Sequence, residues 1–248
     1  RQLAGADDLR PVWLNEAGGT TFEVVGAAGR RFIKWSPTGS GIDLSAEVVR
    51  LRWAVTYTPV PRVLEHGQGG AGQWLVTAAL AGTSAVAPGW IADPRTAVTG
   101  LGRGLRALHD ALPVAACPFD WSAEARIEDA NRRSGQLNPA EWPPEFAGLT
   151  TAQALERVAD PPPVDRPVVC HGDACAPNTL LNDDGSPAGH VDLGDLGVGD
   201  RWADLAVATW STEWNYGAGW TDLLLDAYGV RRDQERIDYY RLLWTLGP

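Results

Sequence analysis

Short β-type runs and a single helical pattern alternate along the first eighty or so residues of this 248-residue chain. Runs rich in β-branched and aromatic residues, which are typical of strands, occupy residues 11–14, 21–25, 30–35, 62–65 and 73–79. Behind Asp43, apolar residues at positions 44, 48, 51 and 55 recur at helical spacing. This order predicts a small antiparallel sheet with one helix packed on it. Residues 80–89 contain Gly and Pro, break the pattern and indicate a hinge.

The rest of the chain carries mostly helical patterns. Asp93-Pro94 suits the start of a helix with an apolar stripe at positions 98, 101, 105 and 108. A Trp-rich and acidic segment, residues 117–160, ends at a proline triplet, because the residue before a proline avoids the helical conformation. Two final helices are predicted at residues 220–228 and behind Asp233. The chain is therefore predicted to be α+β, with a sheet-containing first part and a mostly helical second part.

The composition excludes several classes of protein. Hydrophobic residues make up 44% of the chain and charged residues 21%, as in folded globular proteins. The 21 basic and 31 acidic residues give a net charge of −10, which disfavours a nucleic-acid partner and favours a cationic ligand. No apolar run approaches the ~20 residues that span a bilayer. Three cysteines, an odd number in a chain too large to need disulfides, point to a reducing compartment, so we expect a cytoplasmic protein. We also expect no membrane partner, and a monomer or weak dimer.

Lysine occurs once in the chain. Of the 21 basic residues only Lys34 is not arginine, and it lies in the apolar run Phe32-Ile33-Lys34-Trp35. An ammonium is a compact point charge that the planar fork of arginine does not replace in a tight space. Glu47 borders the apolar stripe of the predicted helix and faces the sheet, where an unpaired carboxylate is costly. We therefore predict that Lys34 and Glu47 form a pair.

A second group of polar residues surrounds a predicted hairpin. The short runs 179–181 and 189–191 are joined by Asn-Asp-Asp-Gly, a sequence suited to a turn. Asn178 precedes the first run and Asp192 follows the second, so both side chains are expected at the open end, with Asp173 on the loop that leads there. Mg²⁺ binds one or two protein oxygens together with phosphate and water. Metal, cation and carboxylate are what phosphoryl transfer requires.

The combination Lys34, Glu47, His171-Gly-Asp173-x4-Asn178 and Asp192-Leu-Gly194 resembles the aminoglycoside phosphotransferases, antibiotic kinases with a protein-kinase-like fold. The resemblance spans most of the chain. It implies a two-lobed kinase-like fold with a nucleotide-binding lobe at residues 1–80 and a catalytic and acceptor-binding lobe at 81–248. It also implies that Asp173 is the catalytic base and that Asn178 and Asp192 hold Mg²⁺. Lys34, paired with Glu47, would bind the α- and β-phosphates of ATP or GTP.

The resemblance extends to two further segments and fails at two others. It implies that Gly18-Gly19-Thr20-Thr21 covers the phosphates, with Thr20 and Thr21 as nucleotide contacts, and that residues 78–80, with Ala79 at their centre, bind adenine. The family commonly has Arg after Asp-Leu-Gly, where this chain has Asp195. The C-terminal stretch 243–248 lacks the acidic residue followed by aromatics that closes the drug pocket in many aminoglycoside kinases.

The expected acceptor is a cationic antibiotic. An aminoglycoside of the streptomycin or kanamycin type is the first choice, and a basic cyclic peptide such as capreomycin or viomycin is the alternative that the unusual C-terminus favours. Glu124, Glu128 and Glu213 are the candidate acceptor-binding residues, because they are acids on the same lobe as Asp173.

Three other interpretations were considered for this sequence: a pseudokinase, a zinc site and a hydrolase. A nucleotide-binding pseudokinase with a partner-docking role would be expected to have lost a member of the catalytic set, and none is missing. A zinc site at Cys170, His171 and Cys175 lacks a fourth Cys or His at a ligand-like spacing. No Gly-x-Ser-x-Gly motif occurs, which argues against one common hydrolase design.

Overall fold

The computed structural model describes residues 8–15, 18–27 and 29–247, which form two compact units. The first unit consists of the chain up to Ala81 together with Gly189–Gly194. The second consists of Gly82–Ala188 and the chain from Asp195 onward. The predicted α+β class is confirmed, with an antiparallel sheet in the first part and mostly helices in the remainder. Residues 189–194, which the sequence analysis assigned to the second lobe, belong to the first unit.

The first unit is a five-stranded antiparallel sheet with one helix. Its strands are β1 (Asp8–Leu14), β2 (Thr20–Gly26), β3 (Gly29–Pro37), β4 (Val63–Gly69) and β5 (Gly72–Ala78). They lie in the order β1-β2-β3-β5-β4. Helix α1 (Leu44–Ala54) begins after Asp43, whose side chain accepts a hydrogen bond from the backbone N–H of Ser45. The element order predicted from the pattern is thus the one observed.

Alternation along β3 separates the buried cluster of the sheet from the face that carries Lys34. Val24, Ile33 and Val76 form a buried cluster on one face. Because successive residues of a strand point to opposite faces, Lys34 lies on the other face, which α1 covers. Thr21 of β2 is the cross-strand partner of Lys34. The sheet register therefore places Thr21 beside the single lysine.

The second unit is mostly helical. Its helices are α2 (Pro88–Ala92), α3 (Pro94–Ala111), α4 (Ala123–Arg132), α5 (Thr151–Val158), α6 (Arg201–Tyr216), α7 (Thr221–Tyr228) and α8 (Gln234–Thr245). Short 3₁₀ helices occur at Val114–Ala116, Ser134–Gln136, Pro139–Glu141, Pro144–Phe146 and Ala176–Asn178. Among the described residues, no helix combines the length and apolar character that a bilayer crossing requires.

Short strands in and beside this unit carry the loops of the site. They are β6 (Thr83–Ser84), β7 (Pro167–Cys170), β8 (Thr179–Leu181), β9 (Pro187–His190) and β10 (Gly197–Asp200). β7 pairs with β10 in antiparallel orientation, and a second small sheet has the order β6-β8-β9. The predicted runs 179–181 and 189–191 thus correspond to β8 and β9. The chain passes from the second unit to the first within β9.

The sequence pattern did not indicate α6, the central helix of the second unit. Every residue from Trp202 to Thr212 is buried. A helix that is buried on all sides has no polar stripe, so its sequence lacks the amphipathic period by which a surface helix is recognised. The helix begins after Asp200, whose carboxylate accepts a hydrogen bond from the backbone N–H of Trp202 at 3.0 Å. Its first turn also carries Asp204, which accepts hydrogen bonds from the backbone of the loop before Asp173.

Glycine allows α3 and α7 to approach each other closely. A Cβ atom on Gly102 would lie 2.5 Å from the carbonyl oxygen of Leu224 and 2.8 Å from the Cβ of Ala227. Such distances are too short for real contacts, so any larger residue would force the two helices apart. Gly135 has no atom within 4 Å of the corresponding position.

We predict that Gly102→Ala lowers the free energy of unfolding by about 1–3 kcal/mol, because overpacking outweighs the better helix propensity of alanine. Gly135→Ala is the matched control and should change it by less than about 0.5 kcal/mol. Urea unfolding followed by circular dichroism measures both variants. Equal stability of the two would contradict the close packing of α3 and α7.

Candidate active site

In the first unit, Lys34 is held between two carboxylates. Its Nζ donates hydrogen bonds to both carboxylate oxygens of Glu47 at 2.8 Å and to Oδ1 of Asp192 at 2.7 Å. Glu47 is buried on α1, and the side chain of Lys34 is 23% exposed. The structure thus forms the predicted pair of Lys34 and Glu47. The contact with Asp192 was not predicted, because the sequence analysis treated Asp192 only as a metal ligand.

These contacts fix the charge of the lysine. Burial alone would lower the pKa of Lys34, but the carboxylates of Asp192 and Glu47 outweigh it and raise the pKa above its ordinary value. The ammonium is therefore permanently charged. Asp192 has a φ of 64° and is the one non-glycine residue with positive φ among the described residues. An aspartate in this left-handed region is strained, and such strain is concentrated at functional sites.

The predicted phosphate loop forms a turn at the edge of the same sheet. The N–H of Gly18 donates to the carbonyl of Asn15 at 3.1 Å, and the N–H of Gly19 donates to Oδ1 of Asn15 at 2.6 Å. Thr20 and Thr21 follow as the first residues of β2, both partly buried. Thr21 lies opposite Lys34 in the sheet, and the contact of this loop with a nucleotide stays a prediction. Residues 16 and 17 lie outside the described residues.

The predicted adenine-binding segment leaves the sheet at the end of β5. The backbone N–H of Ala79 donates to the carbonyl of Arg30 at 3.1 Å, which ties the segment to β3. Ala79 itself is partly buried. Its contact with a nucleotide stays a prediction.

In the second unit, Asp173 and Asn178 form a pair. The Nδ2 of Asn178 donates to Oδ2 of Asp173 at 2.9 Å and to its backbone carbonyl at 3.0 Å. The other carboxylate oxygen, Oδ1, is buried and has no hydrogen-bond partner. Buried acceptors are nearly always hydrogen-bonded, so an unpaired one requires an explanation. The prediction that Asp173 is a base offers one, because a base needs a carboxylate oxygen that is available to accept a proton.

A buried carboxylate on α6 holds the loop before Asp173. Asp204 accepts the backbone N–H of His171 at 2.6 Å and that of Gly172 at 3.0 Å. It is also 2.9 Å from Nε2 of His109, whose Nδ1 lies 2.8 Å from the hydroxyl of Tyr228. Burial opposes the charge of Asp204, but the hydrogen bond from His109 and the charges around it keep its pKa below the usual range. These contacts join α3, α6 and α7 to the loop.

Asp173 opens into a pocket of about 320 Å³ within the second unit. Its lining residues are Gly172, Asp173, Asp195, Trp244, Thr245 and Gly247. Gly172 has a φ of +90°, and a Cβ there would lie 2.4 Å from the carbonyl oxygen of Asp195. Only glycine fits this approach of the two chain segments. Asp195 and the C-terminal stretch depart from the family pattern, and no motif in the sequence assigned them to the site.

The three predicted acceptor-binding acids do not line this pocket. Glu124 and Glu128 lie on the exposed face of α4. Glu213 accepts a hydrogen bond from Nη2 of Arg241 at 2.9 Å, so its charge is already balanced within the protein. Acidity alone selected these residues, and the sequence contains no local sign that one of them is paired by an arginine of α8. Their contact with an acceptor stays a prediction.

The alternative zinc site is not supported by its cysteines. Cys170 is fully buried, and burial raises the pKa of its thiol well above the ordinary value. Its Sγ donates to the carbonyl of Asp200 at 3.4 Å. Zinc binds the thiolate, which this environment disfavours. In the part of the chain that the structure describes, no group of three or more His, Cys, Asp or Glu residues could hold a metal ion.

Asn178 and Asp192 offer an amide and a carboxylate oxygen, which are ligand types that Mg²⁺ accepts.

The chain begins with a sheet whose lysine is paired with two carboxylates, and continues with a helical unit whose Asp173 is paired with the amide of Asn178. This is the organisation of a kinase-like phosphotransferase. A model of the phosphotransferase enzyme family matches residues 11–240, and the chain belongs to that family. The resemblance deduced from its motifs is thereby confirmed. The enzyme is a phosphotransferase with a hydroxyl acceptor.

Individual relatives agree with this assignment. The chain is 38% identical over 221 residues to an aminoglycoside 3'-phosphotransferase of Streptomyces fradiae, covering 84% of this chain and 81% of that one. It is 34% identical to a streptomycin 3''-kinase of Streptomyces griseus, and the alignment covers 94% of this chain and 90% of that one. An aminoglycoside phosphotransferase of Streptomyces rimosus, solved with ADP and streptomycin, superimposes with a TM-score of 0.78 at 30% identity, covering 99% and 95%. An aminoglycoside 3'-phosphotransferase of type VIII gives 0.85 at 30% identity, covering 100% and 96%.

We predict that Lys34→Arg reduces kcat/KM for the nucleotide by about tenfold or more, equivalent to ~1.4 kcal/mol of transition-state stabilisation. The reason is that the larger, planar guanidinium group of arginine cannot contact Glu47 and Asp192 as one ammonium does. Steady-state kinetics with varied ATP measures the effect, and thermal unfolding checks that the fold is retained. Arg62→Lys, an exchange of the same pair of residue types at an exposed position, is the control. A Lys34→Arg enzyme with unchanged kinetics would make Lys34 an ordinary strand residue.

Proposed function

We propose that this enzyme transfers the γ-phosphoryl group of ATP or GTP to a hydroxyl group of an aminoglycoside antibiotic of the streptomycin or kanamycin type, and so inactivates it. The observation that carries the proposal is the buried, unpartnered Oδ1 of Asp173 in a pocket of the second unit. Relatives that share most of the chain are named for aminoglycosides, and one solved relative binds ADP and streptomycin.

In the proposed reaction, Asp173 accepts the proton of the acceptor hydroxyl. Its Oδ1 accepts the proton of the acceptor hydroxyl while that oxygen forms a bond to the γ-phosphorus. The bond from the γ-phosphorus to the bridging oxygen breaks at the same time, and the nucleoside diphosphate leaves. Asn178 orients the carboxylate by donating to Oδ2, so that Oδ1 is the oxygen left to act. Asp204 fixes the backbone of the loop from which Asp173 extends.

The first unit supplies the nucleotide contacts in this proposal. Lys34 binds the α- and β-phosphates while Glu47 holds its ammonium in place. Thr20 and Thr21 cover the phosphates, and Ala79 contacts adenine. Mg²⁺, when bound, neutralises charge on the phosphates. Asn178 and Asp192 would be its protein ligands.

The acidity of the chain supports a cationic acceptor. With a net charge of −10, the protein attracts a polycation and repels nucleic acid. The exposed Glu124 and Glu128 would contribute to this attraction, and Glu213 would do so only by exchanging its ion pair with Arg241 for one with the acceptor. A basic cyclic peptide antibiotic is the second candidate, because Trp244, Thr245 and Gly247, rather than acidic residues of the last helix, line the pocket beside Asp173.

A mass-shift assay tests the proposed function. The protein is incubated with Mg²⁺ and either ATP or GTP, and with streptomycin, kanamycin, capreomycin or viomycin in separate reactions. Addition of one phosphoryl group to streptomycin or kanamycin is the expected result. Phosphorylation of the peptides alone would change the acceptor class. Nucleotide binding without turnover of any acceptor would favour the pseudokinase alternative.

We predict that Asp173→Asn lowers kcat by ~10²–10⁴-fold and leaves nucleotide affinity within about threefold, because an amide cannot accept the proton. Asp183→Asn, at an exposed position of the turn between β8 and β9, is the matched control and should keep full activity. Turnover is measured with the best acceptor of the panel, and mass spectrometry verifies that the asparagine has not reverted by deamidation. Near-normal turnover would remove Asp173 from the role of base.

We also propose that the enzyme works in the cytoplasm as a monomer or weak dimer. All three cysteines lie within the described residues and are free thiols, which suits a reducing compartment.

A further inference from the structure

Helix α4 buries an arginine whose guanidinium group makes no hydrogen bond with the described residues. Arg126 is 4% exposed, and all three of its side-chain nitrogens are buried and without a hydrogen-bond partner. Its guanidinium carbon lies 4.6 Å from the centroid of the Trp121 ring. Unpaired buried polar atoms cost free energy, and an apolar side chain of similar size would avoid that cost. Core packing alone therefore does not explain an arginine at this position.

The guanidinium group is charged at neutral pH. Burial lowers the pKa of Arg126 to about 10, which is still above the neutral range. The strongest electrostatic contributions at this group come from Cys170, Asp204, Asp195 and Tyr240. Burial raises the pKa of the Cys170 thiol and of the Tyr240 hydroxyl, so both are neutral. Among these four groups, the two carboxylates are therefore the ones that carry charge.

The strand pair β7 and β10 connects this arginine to the loop of Asp173. Cys170, the last residue of β7, pairs with Gly197, the first residue of β10. The loop that leads to Asp173 and the segment from Asp195 that leads into β10 therefore lie at the same end of the strand pair. The backbone N–H of Trp121 donates to a carbonyl of β10 at 2.8 Å. Trp121, whose ring contacts Arg126, is thus anchored to the strand pair that carries both segments.

Both carboxylates belong to residues that enclose Gly172. Asp204 accepts the backbone N–H of Gly172 at 3.0 Å, and the carbonyl oxygen of Asp195 would lie 2.4 Å from a Cβ on the same glycine. Two carboxylates near one loop repel each other, and a cation within electrostatic reach of both offsets the repulsion. The charge of Arg126 thus favours the arrangement in which Asp204 and Asp195 enclose the residue before Asp173.

We propose that Arg126 is a positioning residue of the active site, whose buried charge keeps the segments of Asp204 and Asp195 together around Gly172 and so fixes the place of Asp173. The inference rests on the proposed function, in which Asp173 is the base. Arg126 does not touch the substrate in this role, since its side chain is buried and does not line the pocket beside Asp173. It acts through the loop and therefore affects kcat rather than nucleotide binding.

The first test replaces Arg126 by methionine, which is neutral and unbranched, and by lysine, which keeps the charge. Arg126→Met should lower kcat with streptomycin or kanamycin by about tenfold and leave nucleotide KM within about threefold. Arg126→Lys should bring kcat to within about threefold of the unaltered enzyme, because an ammonium also offsets the two carboxylates. Arg132→Met, at an exposed position of the same helix, is the matched control and should behave like the unaltered enzyme.

A double-mutant cycle tests the electrostatic coupling without any acceptor. Urea unfolding is followed by circular dichroism for Arg126→Met, Asp195→Asn and the double variant. The factor by which Arg126→Met multiplies the unfolding equilibrium constant should be at least about fivefold lower in the Asp195→Asn background, since the guanidinium has already lost one of its two carboxylates. The same cycle with Asp222→Asn, an exposed carboxylate on α7, should be additive within about twofold.

The two tests separate this inference from the proposed function. If an antibiotic is phosphorylated and Arg126→Met keeps its kcat, or Arg126→Lys is no better than Arg126→Met, the positioning role is refuted and the proposed function stands. If no antibiotic is phosphorylated, the proposed function fails, and additivity of Arg126 and Asp195 in the cycle refutes the coupling as well. Should Arg126→Met not fold, the neutral Arg126→Gln takes its place with the same expected results.

Discussion

The loop that carries Asp173 depends on one buried carboxylate. Asp204 is fully buried, and a charge in that position is tolerated only when hydrogen bonds replace its water. The backbone N–H groups of His171 and Gly172 and the imidazole of His109 supply those bonds. The dependence is mutual, because without Asp204 two backbone donors of the loop would be buried unpaired. The first turn of α6 thereby fixes the position of the loop that carries Asp173.

This arrangement also explains why the loop requires a glycine. Gly172 donates its N–H to Asp204 and adopts a φ of +90°. On its other side the backbone of Asp195 leaves no room for a side chain. The residue is therefore constrained by a hydrogen bond, a dihedral angle and a contact at once. The next residue, Asp173, inherits its position from these three constraints, and its backbone N–H donates to Nδ1 of His171 at 3.3 Å.

Much of the first unit could be predicted because its signals are local. Short windows of sequence contain the alternation of β2, β3 and β5 and the helical period behind Asp43. The pairing of Lys34 with Glu47 followed from the cost of an unpaired buried charge. The groups around Asp204 could not be predicted in the same way. His109 and Asp204 are 95 residues apart, and their contact exists only after α3 and α6 have packed. Likewise, nothing in the sequence indicated that residues 189–194 would join the first unit.

Under the proposed function, the charges around Lys34 bear on how a nucleotide would bind there, with or without a metal ion. One ammonium lies between two carboxylates, so the group as a whole carries a net charge of −1. An isolated group of this kind repels a polyphosphate, although its cation is permanently charged. A divalent cation held by Asp192 would reverse that balance, since it would add two positive charges and compete with the ammonium of Lys34 for the carboxylate.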